Sequence, residues 1–383
     1  MNGSTEADYR QRFTKAQFLM ADAGVDALLL TTPSEFTYFA GFLTRFWESP
    51  ARPWYLILPA SGEPVAVIPA IGEVLMARSV VRDIRTWSSP DLIDDGVSLL
   101  ADTLKQLRVA RVGIPSGAET HMRVPLDDFA ALKASLPKVR FGDDVGITRR
   151  LRMVKSVAEI EAIRTVCRIG ERAFARVHEI AREGTPLDEV FRRFQMLCLE
   201  EGADWVPYLA GAAGQHGVAD VISPANDRPL AKGDVLMLDT GLVKGGYFCD
   251  FDRNYSVGAP SDLVASAHAK SVEAAKAGLQ ASRPGVRACD VFHAMDAVCS
   301  VGSGTVSAGR MGHGLGLQLT EWPSLMAQDE TVLEAGMVLT LEPVVETKNG
   351  FMIVHEENIV VTESGAEWLT KAIGPDMPRL ETA

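Results

Sequence analysis

The chain has 383 residues, of which 47% are hydrophobic and 23% are charged, a balance typical of a globular protein long enough for two domains. Its net charge of −12 argues against nucleic acid or an anionic membrane surface as the main partner. The five cysteines form no Cys-x-x-Cys pair, the N-terminal segment has no apolar signal core, and no apolar run reaches the roughly 18 residues of a membrane span. We therefore expect a cytoplasmic protein with reduced thiols.

The first part of the chain alternates helix-like and strand-like segments, which predicts an α/β domain. A first helix is predicted to end at Gly24, and a second is predicted at DDGVSLLADTLKQL. The segments DALLLTT, PWYLILP and PVAVIPA are predicted to be buried strands. The segment 33–54 between two of these strands is long, aromatic and polar, and we expect a functional loop there rather than a structural one.

The second part opens with helices and continues with strands. Ser156 and Glu159 form a capping box, and the apolar spacing that follows predicts a helix that Gly184 ends. Thr185 and Pro186 are predicted to open the next helix, and VASAHAKSVEAAKAGLQAS is predicted to be another. Strands and glycines alternate after this point, so an α+β unit is expected, with an antiparallel sheet flanked by helices.

Three aspartates, Asp239, Asp250 and Asp252, lie on a predicted β-hairpin in the segment LDTGLVKGGYFCDFDRNYSVG. A Lys244–Gly245 turn would place Asp239 opposite Asp250, whereas a Gly245–Gly246 turn would place it opposite Asp252. In either register carboxylates converge on one face of the sheet. They would repel one another if held dry, and a divalent metal removes that conflict.

A second acidic hairpin is predicted in the segment GMVLTLEPVVETKNGFMIVHEENIVV. An Asn349–Gly350 turn would pair Glu342 with Glu357, and a three-residue loop from Lys348 to Gly350 would pair Glu342 with Glu356. Spacing alone does not choose between them.

His313 lies between the two hairpins, within GRMGHGLGLQLTEWPS. The glycines around it allow close approach of the backbone, which frees the imidazole to point into a site. Together with two acidic hairpins, His313 is therefore a candidate metal ligand.

These residues, in this order, resemble the pita-bread metallopeptidases, a family that includes methionine aminopeptidase, aminopeptidase P and prolidase, with creatinase as a non-peptidase relative. The resemblance implies five ligands for two divalent metal ions, which are Asp239, Asp250, His313, Glu342 and Glu356. It selects the register that uses Asp250 as the ligand, and it gives Asp252 a position that is often threonine. It also implies that Glu342 and His313 take part in catalysis, with Glu342 as general base and then acid.

The segment LRMVKSVAEIEAIR and the smaller first part of the chain resemble the prolidase, aminopeptidase P and creatinase branch. This implies a creatinase-type α/β N-terminal domain at residues 1–148 and a pita-bread catalytic domain at residues 149–383. The branch also implies a homodimer in which the N-terminal domain of one subunit approaches the active site of the other. The aromatic segment with Trp47 is the candidate for that contact and for covering the substrate.

Two histidines of the peptidases have no counterpart here. Thr320 stands where a second histidine usually follows the metal-binding one, and Val221 or Ile222 stands where another usually precedes the first aspartate. Those histidines are linked with substrate binding and stabilisation of the tetrahedral intermediate. Thr320 could donate a neutral hydrogen bond in their place, and His216 could substitute, although a surface position is the simpler interpretation of His216.

The sequence therefore predicts a dinuclear metallohydrolase that cleaves a C–N bond in short Xaa-Pro peptides, as an Xaa-Pro dipeptidase or an aminopeptidase P-like enzyme does. Manganese is the expected metal, with cobalt, iron or zinc as alternatives. One alternative is a non-peptidase enzyme on the same scaffold, such as a creatinase-like hydrolase of a small C–N compound. Another is a binding protein that has lost catalysis, against which the retention of all five ligand positions argues.

Overall fold

The computed structural model describes residues 4–48, 52–300 and 309–382. The chain divides into two compact units, Met1–Arg152 and Met153–Ala383. The domain boundary after residue 148 that the sequence suggests stays a prediction. No helix among the described residues combines the length and the apolarity needed to cross a membrane.

The first unit is built on a six-stranded mixed sheet with the order β4-β3-β2-β1-β5-β6. Its strands are β1 (Ala27–Leu30), β2 (Tyr55–Pro59), β3 (Val65–Pro69), β4 (Asp83–Trp87), β5 (Arg111–Ile114) and β6 (Arg140–Asp143). The helices up to the division are α1 (Glu6–Ala23), α2 (Pro33–Ala40), α3 (Glu73–Met76), α4 (Val97–Gln106), α5 (Leu126–Ser135) and α6 (Ile147–Met153). The predicted α/β class and the predicted end of α1 at Gly24 are confirmed.

The prediction that the aromatic segment 33–54 is a loop is wrong for its first part, which forms α2. Thr32 caps this helix and Glu35 returns the bond in a capping box, with a proline in the first turn. The aromatic residues of α2 are buried, so the segment owes its composition to packing. A 3-10 turn follows at Phe46–Glu48, and residues 49–51 lie outside the described residues.

The second unit contains two five-stranded sheets, with the orders β18-β10-β8-β7, where β9 pairs with β8, and β12-β11-β13-β16-β17; β14 and β15 form a separate pair. Its helices are α7 (Val157–Ala175), α8 (Leu187–Glu200), α9 (Asp262–Ala281) and α10 (Ala288–Cys299). Its strands are β7 (Trp205–Gly214), β8 (Val235–Lys244), β9 (Tyr247–Phe248), β10 (Phe251–Val257), β11 (Arg310–Gly314), β12 (Glu321–Met326), β13 (Val338–Leu341), β14 (Val344–Glu346), β15 (Met352–Val354), β16 (Glu357–Val361), β17 (Ala366–Trp368) and β18 (Arg379–Leu380). The predicted α+β class is confirmed.

The first helix of this unit is shorter than its sequence pattern predicts. It ends at Ala175, not at Gly184, and a 3-10 turn follows at Val177–Glu179. The apolar spacing continues past the end of the helix because Val177, in the 3-10 turn, and Ile180, directly after it, are also buried. The next helix begins at Leu187 with Pro186 in the capping position, one residue later than predicted.

The sheet that contains β13 and β16 separates the core of this unit from the candidate site. Leu339 and Ile359 belong to the apolar cluster that α9 and α10 also line. Because side chains alternate along a strand, the neighbouring residues Thr340 and Asn358 face the other side. Both are fully buried, and both hold candidate site residues through hydrogen bonds.

Candidate metal centre

The first acidic hairpin adopts the register in which Asp239 lies opposite Asp252. Gly245 and Gly246 form the turn with φ angles of 61° and 90°, and Lys244 pairs with Tyr247 in the ladder. Both turn residues need positive φ, which glycine adopts easily and lysine does not. The expectation from the family resemblance that Asp250 lies opposite Asp239 is therefore wrong.

Asp250 reaches the site from the junction between β9 and β10, outside the paired ladder. Its backbone N–H donates to Oδ1 of Asn358 at 3.1 Å, which fixes the junction to the second sheet. Its Oδ2 lies 3.5 Å from Nε2 of His313. Asp250 and Asp252 thus both enter the site, although only Asp252 faces Asp239 in the ladder.

The second acidic hairpin has the three-residue loop from Lys348 to Gly350. Leu341 pairs with Glu357 in the ladder, so the next position in the same register places Glu342 beside Glu356. Of the two alternatives left open by the sequence, the structure therefore has the one that pairs Glu342 with Glu356.

His313 presents one ring nitrogen to the carboxylates. Its Nδ1 lies 2.8 Å from the backbone oxygen of Gly314, and since a carbonyl only accepts, Nδ1 carries the proton. Nε2 is then an unprotonated donor atom, 3.5 Å from Oδ2 of Asp250 and 3.9 Å from Oε1 of Glu356. Burial lowers the pKa of His313 to about 4, which keeps the ring in the neutral form that binds metals.

Two sets of three ligand atoms converge here, Asp250 with His313 and Glu356, and Asp239 with Asp252 and Glu356. Within each set the atoms lie within 4.8 Å of one another. Glu356 belongs to both sets, as a carboxylate that bridges two ions does. Oδ1 of Asp250, Oδ1 of Asp252 and Oε1 of Glu356 are buried with no hydrogen-bond partner among the described residues. These residues therefore fit a pair of divalent cations.

Burial raises the pKa values of the carboxyl groups in this cluster. Burial raises the pKa of Asp239 to about 7, against a lowering hydrogen bond of 2.9 Å from the Tyr208 hydroxyl. Burial raises the pKa of Glu342 to about 7, and the Arg310 guanidinium acts in the opposite direction. Burial, and then the neighbouring carboxylates, raise the pKa values of Asp250 and Glu356.

Glu357 is directed away from this cluster. Its carboxylate pairs with Nη2 of Arg253 at 2.8 Å and with Nε2 of His355 at 3.2 Å. Although burial alone would raise its pKa, Arg253 and these hydrogen bonds hold the pKa of Glu357 at about 2. Glu357 therefore anchors the strand that presents Glu356.

The three predicted substrate residues lie in different surroundings. Nη2 of Arg310 donates to the Thr320 hydroxyl at 3.3 Å. The ring of His216 packs against Phe351, 6.1 Å between centroids, at the end of the second hairpin. In the first unit, Trp47 packs against Trp54 at 5.3 Å, within an aromatic cluster. The predicted substrate roles of Thr320, His216 and Trp47 stay predictions.

Tyr208 and Arg310 are contacts of the site that sequence reasoning missed. Tyr208 comes from β7, the strand next to the one that carries Asp239, and a polar aromatic residue on a neighbouring strand is a weak signal. Arg310 begins the strand that carries His313. A cationic residue in this glycine-rich strand is the sequence signal that could have identified it.

The fold and the site define a two-unit metal-dependent hydrolase, and the comparisons with known proteins give its family. The profile of metallopeptidase family M24 matches residues 161–363, and that of the creatinase/prolidase N-terminal domain matches residues 12–154. The chain belongs to metallopeptidase family M24, a family that uses divalent metals. The predictions of the pita-bread fold and of a metallohydrolase are thereby confirmed.

The chain is similar in sequence to peptidases over most of its length. A probable dipeptidase PepE of Mycobacterium tuberculosis is 31% identical over 364 residues, which cover 94% of this chain and 93% of the relative. An Xaa-Pro dipeptidase of Pyrococcus furiosus is 31% identical over 62% of this chain and 68% of its own length. The crystal structure of a prolidase from Thermococcus sibiricus matches with a TM-score of 0.87 and 26% identity, covering 100% of both chains.

Proposed function

We propose that this chain is a dinuclear metal-dependent peptidase that hydrolyses short peptides with proline in the second position. The observation that carries the proposal is the pair of ligand sets that share Glu356. The names of the prolidase and Xaa-Pro dipeptidase relatives support the substrate class. The residues that would hold the two ions are Asp239, Asp250, His313, Glu342 and Glu356.

Glu342 is the proposed proton carrier. Two divalent ions held by these residues would polarise a substrate carbonyl and lower the pKa of a bound water. A carboxylate oxygen of Glu342 would accept the proton of the attacking water and pass it to the leaving amine nitrogen. His313 would assist as a neutral ligand whose ring is held by Gly314.

The residues around Thr320 favour a second candidate function. Thr320, and either Val221 or Ile222, stand where peptidases of this family usually have histidines, so the usual imidazole donors to the substrate are replaced. The hydrogen bond from Arg310 to Thr320 places a different cation there. This arrangement fits either a weak Xaa-Pro peptidase or an enzyme that hydrolyses another small C–N compound.

Thr320→His is expected to separate the two functions. A missing oxyanion donor costs about 10²- to 10³-fold in turnover, so a restored imidazole should raise Xaa-Pro hydrolysis by up to that factor if peptides are the substrate. If the pocket fits another molecule, the larger ring should block it and lower the turnover of that molecule. The measurement is kcat for a panel of Xaa-Pro dipeptides and small amides and amidines, with protein reconstituted with Mn²⁺.

Thr320→Val is the matched control, because it keeps the side-chain shape and removes the hydroxyl. It should lower peptide turnover if the hydroxyl donates to the substrate. Absence of Xaa-Pro cleavage by the wild type and by Thr320→His, together with hydrolysis of a small C–N compound, would contradict the peptidase proposal and support the second candidate.

Manganese is the metal we propose, since the ligand set is rich in carboxylates and contains one imidazole. A cytoplasmic location is also proposed. It is supported by the five cysteines, all of which are buried and unpaired, as is usual in a reducing compartment.

A homodimer is the proposed assembly, and it rests on the resemblance to the prolidase branch. Sedimentation velocity of the metal-loaded protein is expected to give about twice the chain mass of 41.4 kDa. The measurement should be repeated at the protein concentration of the activity assay. A fully active monomer at that concentration would exclude a required dimer.

A further inference from the structure

Asp252 lies inside the group of ligand atoms. It is directly opposite Asp239 in the ladder between β8 and β10, so the two side chains leave the sheet on the same face. Ligand atoms of Asp239, Asp252 and Glu356 lie within 4.8 Å of one another. Carboxylate oxygens bound to one ion at about 2.0–2.2 Å would be separated by up to about 4.4 Å, so this spacing is close to that of one coordination shell.

No ion pair among the described residues compensates for the burial of the Asp252 carboxylate, although the charge of Arg253 acts to lower its pKa. Only 2% of the residue is exposed, and its Oδ1 has no hydrogen-bond partner among the described residues. The adjacent cation, Arg253, pairs instead with Glu357 at 2.8 Å. A buried carboxylate without a counter-ion is costly, and Asp239 and Glu356 add repulsion. A cation at the point where the three carboxylates meet removes both costs.

We propose that Asp252 is a direct ligand of one of the two metal ions, which gives the site a sixth protein ligand. The inference rests on the proposed function, because it concerns the same metal pair. One ion would be held by Asp239, Asp252 and Glu356 and the other by Asp250, His313 and Glu356, with Glu342, which the hairpin register places beside Glu356, as the remaining ligand of the pair.

The extra carboxylate makes the two metal positions chemically different. The position with Asp252 has only carboxylate oxygens and suits a hard ion such as Mn²⁺, whereas the position with His313 also suits Co²⁺, Fe²⁺ or Zn²⁺. Four carboxylates already balance the charge of two divalent ions. The negative charge of Asp252 therefore strengthens ion binding at its own position and makes that ion a weaker Lewis acid.

The test is a titration of metal-free, full-length protein with Mn²⁺ by calorimetry, with metal per chain measured by mass spectrometry after gel filtration. The wild type is expected to bind two ions. Asp252→Asn should retain the ion at the His313 position and bind the other at least about tenfold more weakly, since even groups outside the ligand set change affinity by about 10- to 100-fold. Asp227→Asn, on an exposed loop, is the control and should bind both ions like the wild type.

A second variant and a second measurement distinguish the loss of a metal ligand from misfolding. Asp252→Thr keeps a side chain suited to a strand, and the visible absorption of the Co²⁺-loaded protein reports the number of ligands. A changed Co²⁺ spectrum in Asp252→Thr supports direct ligation. Wild-type affinity for both ions in Asp252→Asn, with an unchanged Co²⁺ spectrum in Asp252→Thr, would overturn this inference and leave the proposed function standing. A wild type that binds no metal would overturn the proposed function itself.

Discussion

Exhaustive chelation is expected to abolish hydrolysis and to lower the melting temperature by about 10–20 °C. Each ion present at 100 times its dissociation constant contributes about 2.7 kcal/mol, so two ions contribute about 5 kcal/mol. In a domain of this size, 1 kcal/mol corresponds to roughly 2–4 °C. The measurement is activity together with calorimetric unfolding, before and after chelation and again after Mn²⁺ is restored.

The metal-free protein should also respond to pH in a defined direction. Burial raises the pKa values of Asp239 and Glu342 to about 7, above the roughly 4 of an unfolded carboxyl group. The folded state then binds more protons than the unfolded state between these values. The contribution of these two groups to the stability of the folded protein is therefore largest below about pH 4, and it is lost as the pH rises towards 7. Bound metal should remove this loss.

Full activity after chelation that leaves less than one ion per several chains would contradict the metal centre. The predicted pH response has its own test in the Asp239→Asn and Glu342→Gln double variant, which lacks both titrating groups. If the melting temperature of the metal-free wild type depends on pH in the same way as that of the double variant, the predicted pH response is wrong.

The sequence alone could predict that the candidate ligands come close together, because they lie on two short hairpins and one glycine-rich strand. A hairpin forces residues near in sequence onto neighbouring strands, so Asp239 had to meet Asp250 or Asp252. The register could not be predicted, since Lys-Gly and Gly-Gly turns are one residue apart. The structure has the turn with glycine at both positions of positive φ.

The contacts that hold the site together could not be predicted, because they join residues far apart in the chain. Arg253 pairs with Glu357 at 2.8 Å, and Asn358 accepts from the backbone of Asp250 at 3.1 Å. Neither pair has a local spacing that would reveal it. These contacts distinguish Glu356, which faces the candidate metal centre, from Glu357, which is held in an ion pair, although the two residues are adjacent and chemically identical.

The helix α10 was missed for a local reason. Its residues Ala288 to Cys299 follow a turn with proline and glycine, and its N-cap residue is Arg287, whose side chain cannot accept a hydrogen bond as serine or threonine does. The carboxylate of Asp290 accepts from the backbone N–H of Arg287 at 3.3 Å. Its apolar side chains pack with those of α9 against the sheet. The packing of the folded unit therefore stabilises a helix whose start carries a weak sequence signal.

Glu342→Gln is expected to reduce kcat by about 10²- to 10⁴-fold, the range associated with a lost general acid–base. The amide has nearly the shape of the carboxylate but cannot take a proton from water or return one to the leaving nitrogen. Its carbonyl oxygen can still bind metal, so the variant should keep at least one ion per chain. The pH dependence of kcat should lose the limb that reports the proton on Glu342.

Glu346→Gln provides the matched control for Glu342→Gln. Glu346 lies on β14 of the same hairpin, is exposed, and loses the same negative charge on substitution. It should keep wild-type turnover and metal content, because its side chain is exposed to solvent. Equal turnover in Glu342→Gln and Glu346→Gln, with both ions bound, would show that Glu342 carries no proton in the reaction. A large loss confined to Glu342→Gln, with metal retained, would separate proton transfer from metal binding, because only the first requires a side chain that can be protonated.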